Sequence, residues 1–199
     1  MTSLAVCGSA SVLVERVAAA VKGGVNMVQL REKDLAGGEL LDLARRLKVA
    51  IAGKALLFVN DRVDVALACG AEGVQLGEKA LPVEAVRRIG GDRLLIGRSV
   101  HSLEGALEAA ATRADLLTVG TIFETASHPG TPAAGVGLVR SIASKVTLPL
   151  IGIGGIEAEN AAQVMAAGAS GVAVIRAVLG AHDPEAAARR LWEAISRVR

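Results

Sequence analysis

The chain has 199 residues, of which 52% are hydrophobic and 21% charged, with a formal net charge of +2; these values suit one domain spanning residues 1–199 and exclude a disordered chain. We expect no nucleic-acid partner, because the chain has no run of basic residues and few aromatic ones: two phenylalanines, one tryptophan and no tyrosine. Because no apolar run is long enough to cross a membrane and two cysteines are too few for a disulfide framework, we expect a cytoplasmic protein without a membrane partner.

Along the chain, a short apolar run followed by a helical pattern recurs about every 25 residues, which is typical of alternating strands and helices. The runs have no polar alternate, as in strands buried on both faces of a parallel sheet. We predict strands at Leu4–Cys7, Asn26–Leu30, Ala55–Val59, Gly73–Leu76, Leu94–Ile96, Leu116–Val119, Pro149–Ile151 and Val172–Ile175. We predict helices at Gly38–Ala50, Asp61–Cys69, Pro82–Ile89, Leu103–Ala111, Asn160–Ala167 and Asp183–Arg199, the last capped by Asp183 with Pro184 in its first position.

Eight such alternations favour closure of the sheet, so we predict the α/β class and a single (β/α)8 TIM barrel, with a doubly wound open sheet as the alternative. Functional residues of a barrel lie on the loops that leave the carboxyl ends of the strands. The polar side chains at those ends are therefore the candidates for a site.

The second and third apolar runs both end in polar and charged residues. Arg31 and Lys33 stand two residues apart, so both can face one anion, and Gln29 can add an amide. Asn60 and Asp61 would bring a carboxylate beside these cations, an arrangement that can hold Mg²⁺ against a pyrophosphate. A solvated charge pair and a helix N-cap at Asp61 are the alternatives.

The seventh run ends in the glycine-rich segment Ile151–Ile156, and the eighth runs into Arg176, where another helix begins. Glycine lets the backbone approach a ligand, and loops of this kind beside a helix N-terminus form the usual phosphate site of a barrel. We therefore predict that Gly154, Gly155, Ile175 and Arg176 bind a phosphate. Simple turn glycines are the alternative.

Two further loops carry hydroxyls and imidazoles. Ser99 and His101 follow the fifth run, and the long loop after the sixth contains Thr125, Ser127 and His128. The hydroxyls and His128 could donate to phosphate oxygens, and His101 and His128 are the candidate acid–bases. A structural role for either histidine is the alternative.

Several segments together resemble the thiamine-phosphate synthase/TenI family, in the family's order. They are Gln29-Leu30-Arg31-Glu32-Lys33, Asn60-Asp61-Arg62-Val63-Asp64, Gly97–Glu104, Thr125–His128 and Ile151–Ile156. The resemblance implies an enzyme that joins hydroxymethylpyrimidine pyrophosphate to hydroxyethylthiazole phosphate and releases pyrophosphate with Mg²⁺. It assigns Gln29, Arg31, Lys33 and Asn60 to the pyrimidine pyrophosphate, Asp61 to Mg²⁺, Ser99, Thr125 and Ser127 to the donor set, and the glycines with Ile175 and Arg176 to the thiazole phosphate.

The chain also departs from the family pattern. Ala80 stands where the family has a second metal-binding acid, with Glu78 as the nearest substitute, and His128 replaces a lysine. A TenI-like thiazole tautomerase, which needs no metal, is therefore an alternative, although Thr121 stands where its acid–base histidine is expected. A non-catalytic protein that binds thiazole phosphate is another. All three alternatives take small phosphorylated ligands, and the resemblance implies a homo-oligomer.

Overall fold

Seven parallel strands form one curled sheet in the part of the chain that the computed structural model describes, residues 1–125 and 132–198. The strands follow chain order across the sheet, so each is hydrogen-bonded to the next one along the sequence. They are β1 (Met27–Leu30), β2 (Leu56–Asn60), β3 (Gly73–Leu76), β4 (Leu95–Val100), β5 (Leu116–Val119), β6 (Leu150–Ile153) and β7 (Gly171–Ala173).

Helices alternate with these strands and cover the outside of the sheet. They are α1 (Leu4–Cys7), α2 (Ala10–Lys22), α3 (Gly37–Ile51), α4 (Val63–Cys69), α5 (Val83–Gly90), α6 (Leu103–Ala111), α7 (Gly135–Ala143), α8 (Ala158–Ala166), α9 (Arg176–Leu179) and α10 (Pro184–Ser196). The predicted cap of the last helix is confirmed: Asp183 Oδ1 accepts a hydrogen bond from Ala186 N–H at 3.0 Å, and Pro184 opens the helix. No helix in the described ranges is both long and apolar enough to cross a membrane.

The core lies between the strands and these helices, as the continuous apolar runs predict. Every residue of β3 and β5 is buried. On the other, inner face of the sheet, Phe58 of β2 is 1% exposed and lines an interior cavity, and a Cβ on Gly73 of the neighbouring strand would lie 2.5 Å from its ring. Glycine at position 73 therefore makes room for the only large ring buried in this part of the described sheet.

The α/β barrel class is confirmed, but the first predicted strand is wrong. Leu4–Cys7 forms the short helix α1, and Glu32 Oε2 accepts a hydrogen bond from the Leu4 N–H at 3.0 Å. An apolar run of four residues fits one helical turn as well as a strand, so periodicity could not separate the two. The eight-strand count is accordingly wrong for the described residues, which hold seven strands.

Residues Met1 and Thr2 lie between the two edge strands, in place of that first strand. The Thr2 N–H donates to Gln29 O of β1 at 2.8 Å, and the Met1 nitrogen donates to Val174 O beside β7 at 3.1 Å. Beneath them is a cavity of about 490 Å³ that residues of both edge strands line. The sheet is thus closed at its carboxyl end by two residues only.

The strand β4 is twice as long as the sequence predicts. The run Leu94–Ile96 becomes a strand that continues to Val100, because Ser99 and Val100 pair with Thr118 and Val119 of β5. Ser99 consequently belongs to β4 and not to the loop after it.

Candidate active site

The carboxyl ends of the strands surround a cavity of about 720 Å³. Most of the site residues predicted from the sequence line it: Gln29, Arg31, Lys33, Asn60, Asp61, Ser99, His101, Thr125, Gly154, Gly155, Ile175 and Arg176. The other two, Ser127 and His128, lie outside the described residues. The residues are brought together because parallel strands of one barrel end on the same face.

Asp61, directly after β2, is held by hydrogen bonds to the end of β3. Its Oδ1 accepts from the Gly77 N–H at 2.8 Å, and its own N–H donates to Gln75 O at 2.9 Å. Its Oδ2 accepts from Asn60 Nδ2 at 2.9 Å, and Asn60 Oδ1 in turn accepts from Gln29 Nε2 at 3.0 Å. This chain of amides across three strands fixes the carboxylate at the cavity wall.

Asp61 is not a helix N-cap, so that alternative is wrong. The helix α4 begins at Val63, Arg62 occupies the N-cap position, and no side chain accepts a capping hydrogen bond there. Both side-chain oxygens of Asp61 bond to groups outside the helix.

The residues around Asp61 fit Mg²⁺ that arrives with a phosphorylated substrate. In residues 1–125 and 132–198, no group of three or more His, Cys, Asp or Glu side chains could hold a metal. Mg²⁺ in phosphate sites needs only one or two carboxylates, since phosphate oxygens and water supply its other ligands. Each side-chain oxygen of Asp61 accepts one hydrogen bond and keeps a second lone pair. Ala80 lines the same cavity and offers no ligand.

Four cations line the cavity: Arg31, Lys33, Lys79 and Arg176. Within the described ranges none of them forms an ion pair. The Arg31 N–H donates to Thr2 Oγ1 at 2.9 Å, which fixes the backbone where β1 ends. These charges are therefore available to an anionic ligand.

Two glycines shape the opposite wall after β6. Gly154 and Gly155 have φ of 106° and 60°, in the left-handed region. A Cβ on Gly155 would lie 2.4 Å from Glu124 O, and one on Gly154 would lie 2.5 Å from Thr121 Cγ2. Asn160 Nδ2 donates to Gly155 O at 2.9 Å and holds the turn. The turn by itself requires glycine at both positions, and both glycines also stand at the cavity wall beside the start of α9, whose first N–H groups have no intrahelical acceptor.

His101 is oriented by the backbone. Its Nδ1 is hydrogen-bonded to Gly120 O, and because a carbonyl only accepts, Nδ1 carries the hydrogen. In the neutral ring Nε2 is then an acceptor, and it lies 3.9 Å from Glu78 Oε1. Arg98 Nη2 donates to Glu78 O at 3.2 Å and anchors that loop. Glu78 thus lies against His101 and also lines the cavity near Ala80, so its role as a substitute for the acid missing at position 80 stays a prediction.

Sequence reasoning missed several residues at the cavity. Glu124 and Glu157 line it, as do Met1 and Thr118. It also missed Gln75, a buried amide of β3 whose Nε2 donates to Ser99 Oγ at 3.1 Å. A polar amide inside a fully buried strand is a signal that could have found it, since such groups are rarely buried without a partner.

The fold and this cavity are those of an α/β-barrel enzyme, and similarity to known proteins narrows the class. The family model described as thiamine monophosphate synthase, TMP-TENI, matches residues 3–178. The chain is 46% identical to a thiamine-phosphate synthase of Roseiflexus castenholzii, over 91% of this chain and 80% of that one. It is 43% identical to one of Moorella thermoacetica, over 94% and 90%.

Among solved structures, the chain is similar to a thiamine phosphate pyrophosphorylase from Pyrococcus furiosus. The TM-score is 0.86 and the identity 40%, over 93% of this chain and 90% of that one. A 3-hexulose-6-phosphate synthase, 21% identical with a TM-score of 0.74, shares the fold. The chain belongs to the thiamine monophosphate synthase family, and it is a transferase of thiamine biosynthesis.

Proposed function

We propose that this enzyme joins hydroxymethylpyrimidine pyrophosphate to hydroxyethylthiazole phosphate with release of pyrophosphate. The bond from the pyrimidine methylene carbon to the pyrophosphate oxygen breaks, and the thiazole nitrogen uses its lone pair to bond that carbon. No proton needs to be removed, so the site needs positive charge on the leaving group more than a base. The observation that carries the proposal is one cavity with a carboxylate and cations at one wall and a glycine turn at the other.

The wall formed by β1 and β2 is proposed to bind the pyrimidine pyrophosphate. Arg31 and Lys33 would bind the leaving oxygens, and Gln29 and Asn60 would orient the substrate through their amides. Asp61 would hold Mg²⁺, which when bound neutralises charge that develops on the departing pyrophosphate. Ser99, Thr125 and Ser127 complete the donor set in this proposal, and His101 and His128 stay candidate donors or acid–bases.

The wall formed by β6 and β7 is proposed to bind the thiazole phosphate. The N–H groups of Gly154, Gly155, Ile175 and Arg176 would donate to its oxygens, since glycine leaves the backbone accessible and the start of a helix favours an anion. The two substrates would then meet across the cavity. Assembly into a homo-oligomer belongs to this proposal on the resemblance alone, and a cytoplasmic location stays the expectation drawn from the sequence.

The test is release of pyrophosphate from the two substrates, with and without Mg²⁺. We expect metal-dependent release by the wild-type chain. Asp61→Asn should lower kcat by about 100-fold or more, because it removes the one carboxylate proposed for the metal. Asparagine tolerates a left-handed backbone, which Asp61 adopts with φ of 57°, so this variant should keep the fold.

Asp64→Asn is the matched control. Asp64 lies one turn further along, forms an exposed ion pair with Arg62, and does not line the cavity. We expect its kcat to stay within about twofold of wild type, since exposed ion pairs contribute little. If the wild-type chain released no pyrophosphate with both substrates and Mg²⁺, the proposed reaction would be wrong and isomerisation of a thiazole carboxylate phosphate would be the next activity to measure.

A further inference from the structure

Gln75 is a buried amide of β3 that lines the interior cavity of about 490 Å³ and not the candidate site itself. It is 4% exposed and, with Thr2 and Thr118, makes up the buried polar side chains of the described residues. Burial of an amide without a hydrogen bond is destabilising. The position therefore depends on the partners that the neighbouring strand supplies.

The strand β4 supplies both a partner and room for the amide. Gln75 pairs in register with Gly97, and Ser99 lies two residues further on, on the same face of β4. Gln75 Nε2 donates to Ser99 Oγ at 3.1 Å. A Cβ on Gly97 would lie 2.1 Å from Gln75 Oε1, so only glycine at that position leaves the amide where it is.

This hydrogen bond determines what the Ser99 hydroxyl can do. A hydroxyl has one hydrogen and two lone pairs. Because the amide N–H occupies a lone pair, the hydroxyl hydrogen is directed away from Gln75, and Ser99 lines the main cavity. Ser99 is thereby set as a donor to a ligand in that cavity.

We propose that Gln75 is a positioning residue, which together with Gly97 orients the Ser99 hydroxyl to donate to the pyrophosphate group. The inference rests on the proposed function, in which Ser99 belongs to the donor set for the pyrimidine pyrophosphate. Gln75 itself lines the second cavity and not the main one, so its effect on a ligand in the main cavity would pass through the Ser99 hydroxyl.

A double-mutant cycle tests this, with the affinity for inorganic pyrophosphate measured by calorimetry in Mg²⁺. Ser99→Ala should weaken binding about tenfold, the usual size for loss of a hydrogen bond to a charged group. Gln75→Met keeps the length of the side chain without a donor, and we expect it to weaken binding about threefold to tenfold. The double variant should bind no more weakly than Ser99→Ala, because the two residues act as one unit.

Two outcomes of these measurements would overturn the inference. A double variant that loses the product of the two single effects would show that Gln75 does not act through Ser99, and unchanged affinity in Gln75→Met would overturn the inference directly. Gln163→Met, the same change at an exposed position of α8, is the control and should bind like wild type. If Gln75→Met does not fold, Gly97→Ala replaces it, since the new Cβ must displace the amide and should produce the same loss.

The double-mutant cycle tests the role of Gln75 independently of the proposed reaction, because it measures the affinity for pyrophosphate and not turnover. A wild-type chain that shows no turnover but a non-additive cycle would refute the reaction and keep the role of Gln75. Metal-dependent turnover with an additive cycle would support the reaction and refute the role of Gln75.

Discussion

Asp61 and Gly155 face the cavity from opposite walls, and both have a left-handed backbone, with φ of 57° and 60°. Asp61 tolerates this conformation because its short side chain forms a local hydrogen bond, accepting from the neighbouring Asn60 Nδ2. No residue with a Cβ fits at position 155 without displacing the backbone, since that Cβ would lie 2.4 Å from Glu124 O. The left-handed backbone is therefore strained at Asp61, where the carboxylate is needed, and unstrained at position 155, where glycine forms the turn.

Gly155→Ala should weaken the binding of hydroxyethylthiazole phosphate by about tenfold or more. The added methyl group must push the turn away from Glu124, which displaces the N–H groups proposed to hold the phosphate. Calorimetric titration with that ligand measures the effect.

Gly53→Ala is the control for this prediction. Gly53 also has a positive φ, 70°, but nothing lies within 4 Å of a Cβ there. We expect it to cost about 1–2 kcal/mol of stability from backbone strain and to leave the affinity unchanged. Equal losses of affinity in both variants would mean that strain, and not the phosphate site, explains the result.

At the scale of elements, two acidic residues, each directly before a strand, connect a helix to the preceding strand through hydrogen bonds and an ion pair. Glu72, before β3, pairs with Lys48 of α3 and accepts from Leu57 N–H of β2 at 2.7 Å. Asp115, before β5, accepts from Arg87 of α5 and from Ile96 N–H of β4, both at 2.7 Å. Both lie at the amino ends of the strands, away from the cavity, where such contacts support stability.

Glu72→Gln should lower the free energy of unfolding at pH 7 by about 1 kcal/mol, a value reduced for the partial exposure of the pair. Burial alone raises the pKa of Glu72, but the Lys48 ammonium and the Leu57 N–H outweigh it and hold that pKa below its ordinary 4.5. A lowered pKa stabilises the fold above pH 4.5, and the contribution is lost as the pH falls through the folded value.

Urea denaturation of both chains between pH 7 and pH 3 measures this difference. The stability gap between wild type and variant should narrow below about pH 4.5, the ordinary pKa. Glu185→Gln, which removes an exposed pair with Arg189, should change stability by less than about 0.5 kcal/mol. A gap that stays constant with pH would contradict the role given to Glu72.

At the scale of the whole molecule, the sheet is unevenly protected. The strand β5 lies between two others and all its residues are buried, whereas β7 pairs with β6 on one side and none of its residues is fully buried. Its other side borders the cavity of about 490 Å³.

We expect the amide hydrogens of β7 to exchange with solvent faster than those of β5, by about tenfold or more. Exchange follows local opening, which is easier where few buried apolar contacts hold a strand. Hydrogen–deuterium exchange with peptide-level mass spectrometry compares the two strands in one sample. Equal protection of Gly171–Ala173 and Leu116–Val119 would show that β7 is as firmly held as the centre of the sheet.

The sequence by itself determined the alternation of strands and helices and the side chains that follow each strand. Strands such as Gly73–Leu76 and Leu116–Val119 agree with the structure at both ends, because their apolar residues are buried whatever the neighbouring strand is. Parallel strands end on one face, so the polar residues after them could be assigned to one site before any contact was known.

Only the tertiary structure decided which partners these residues have. Leu4–Cys7 is helical and its first N–H donates to Glu32, distant in sequence, a contact that a run of four residues does not encode. The carboxylate of Asp61 bonds to Gly77, Glu78 lies against His101, and Gln75 orients Ser99, each across the gap between two strands. Such pairs depend on strand register, which is set by packing of the whole barrel and not by local sequence.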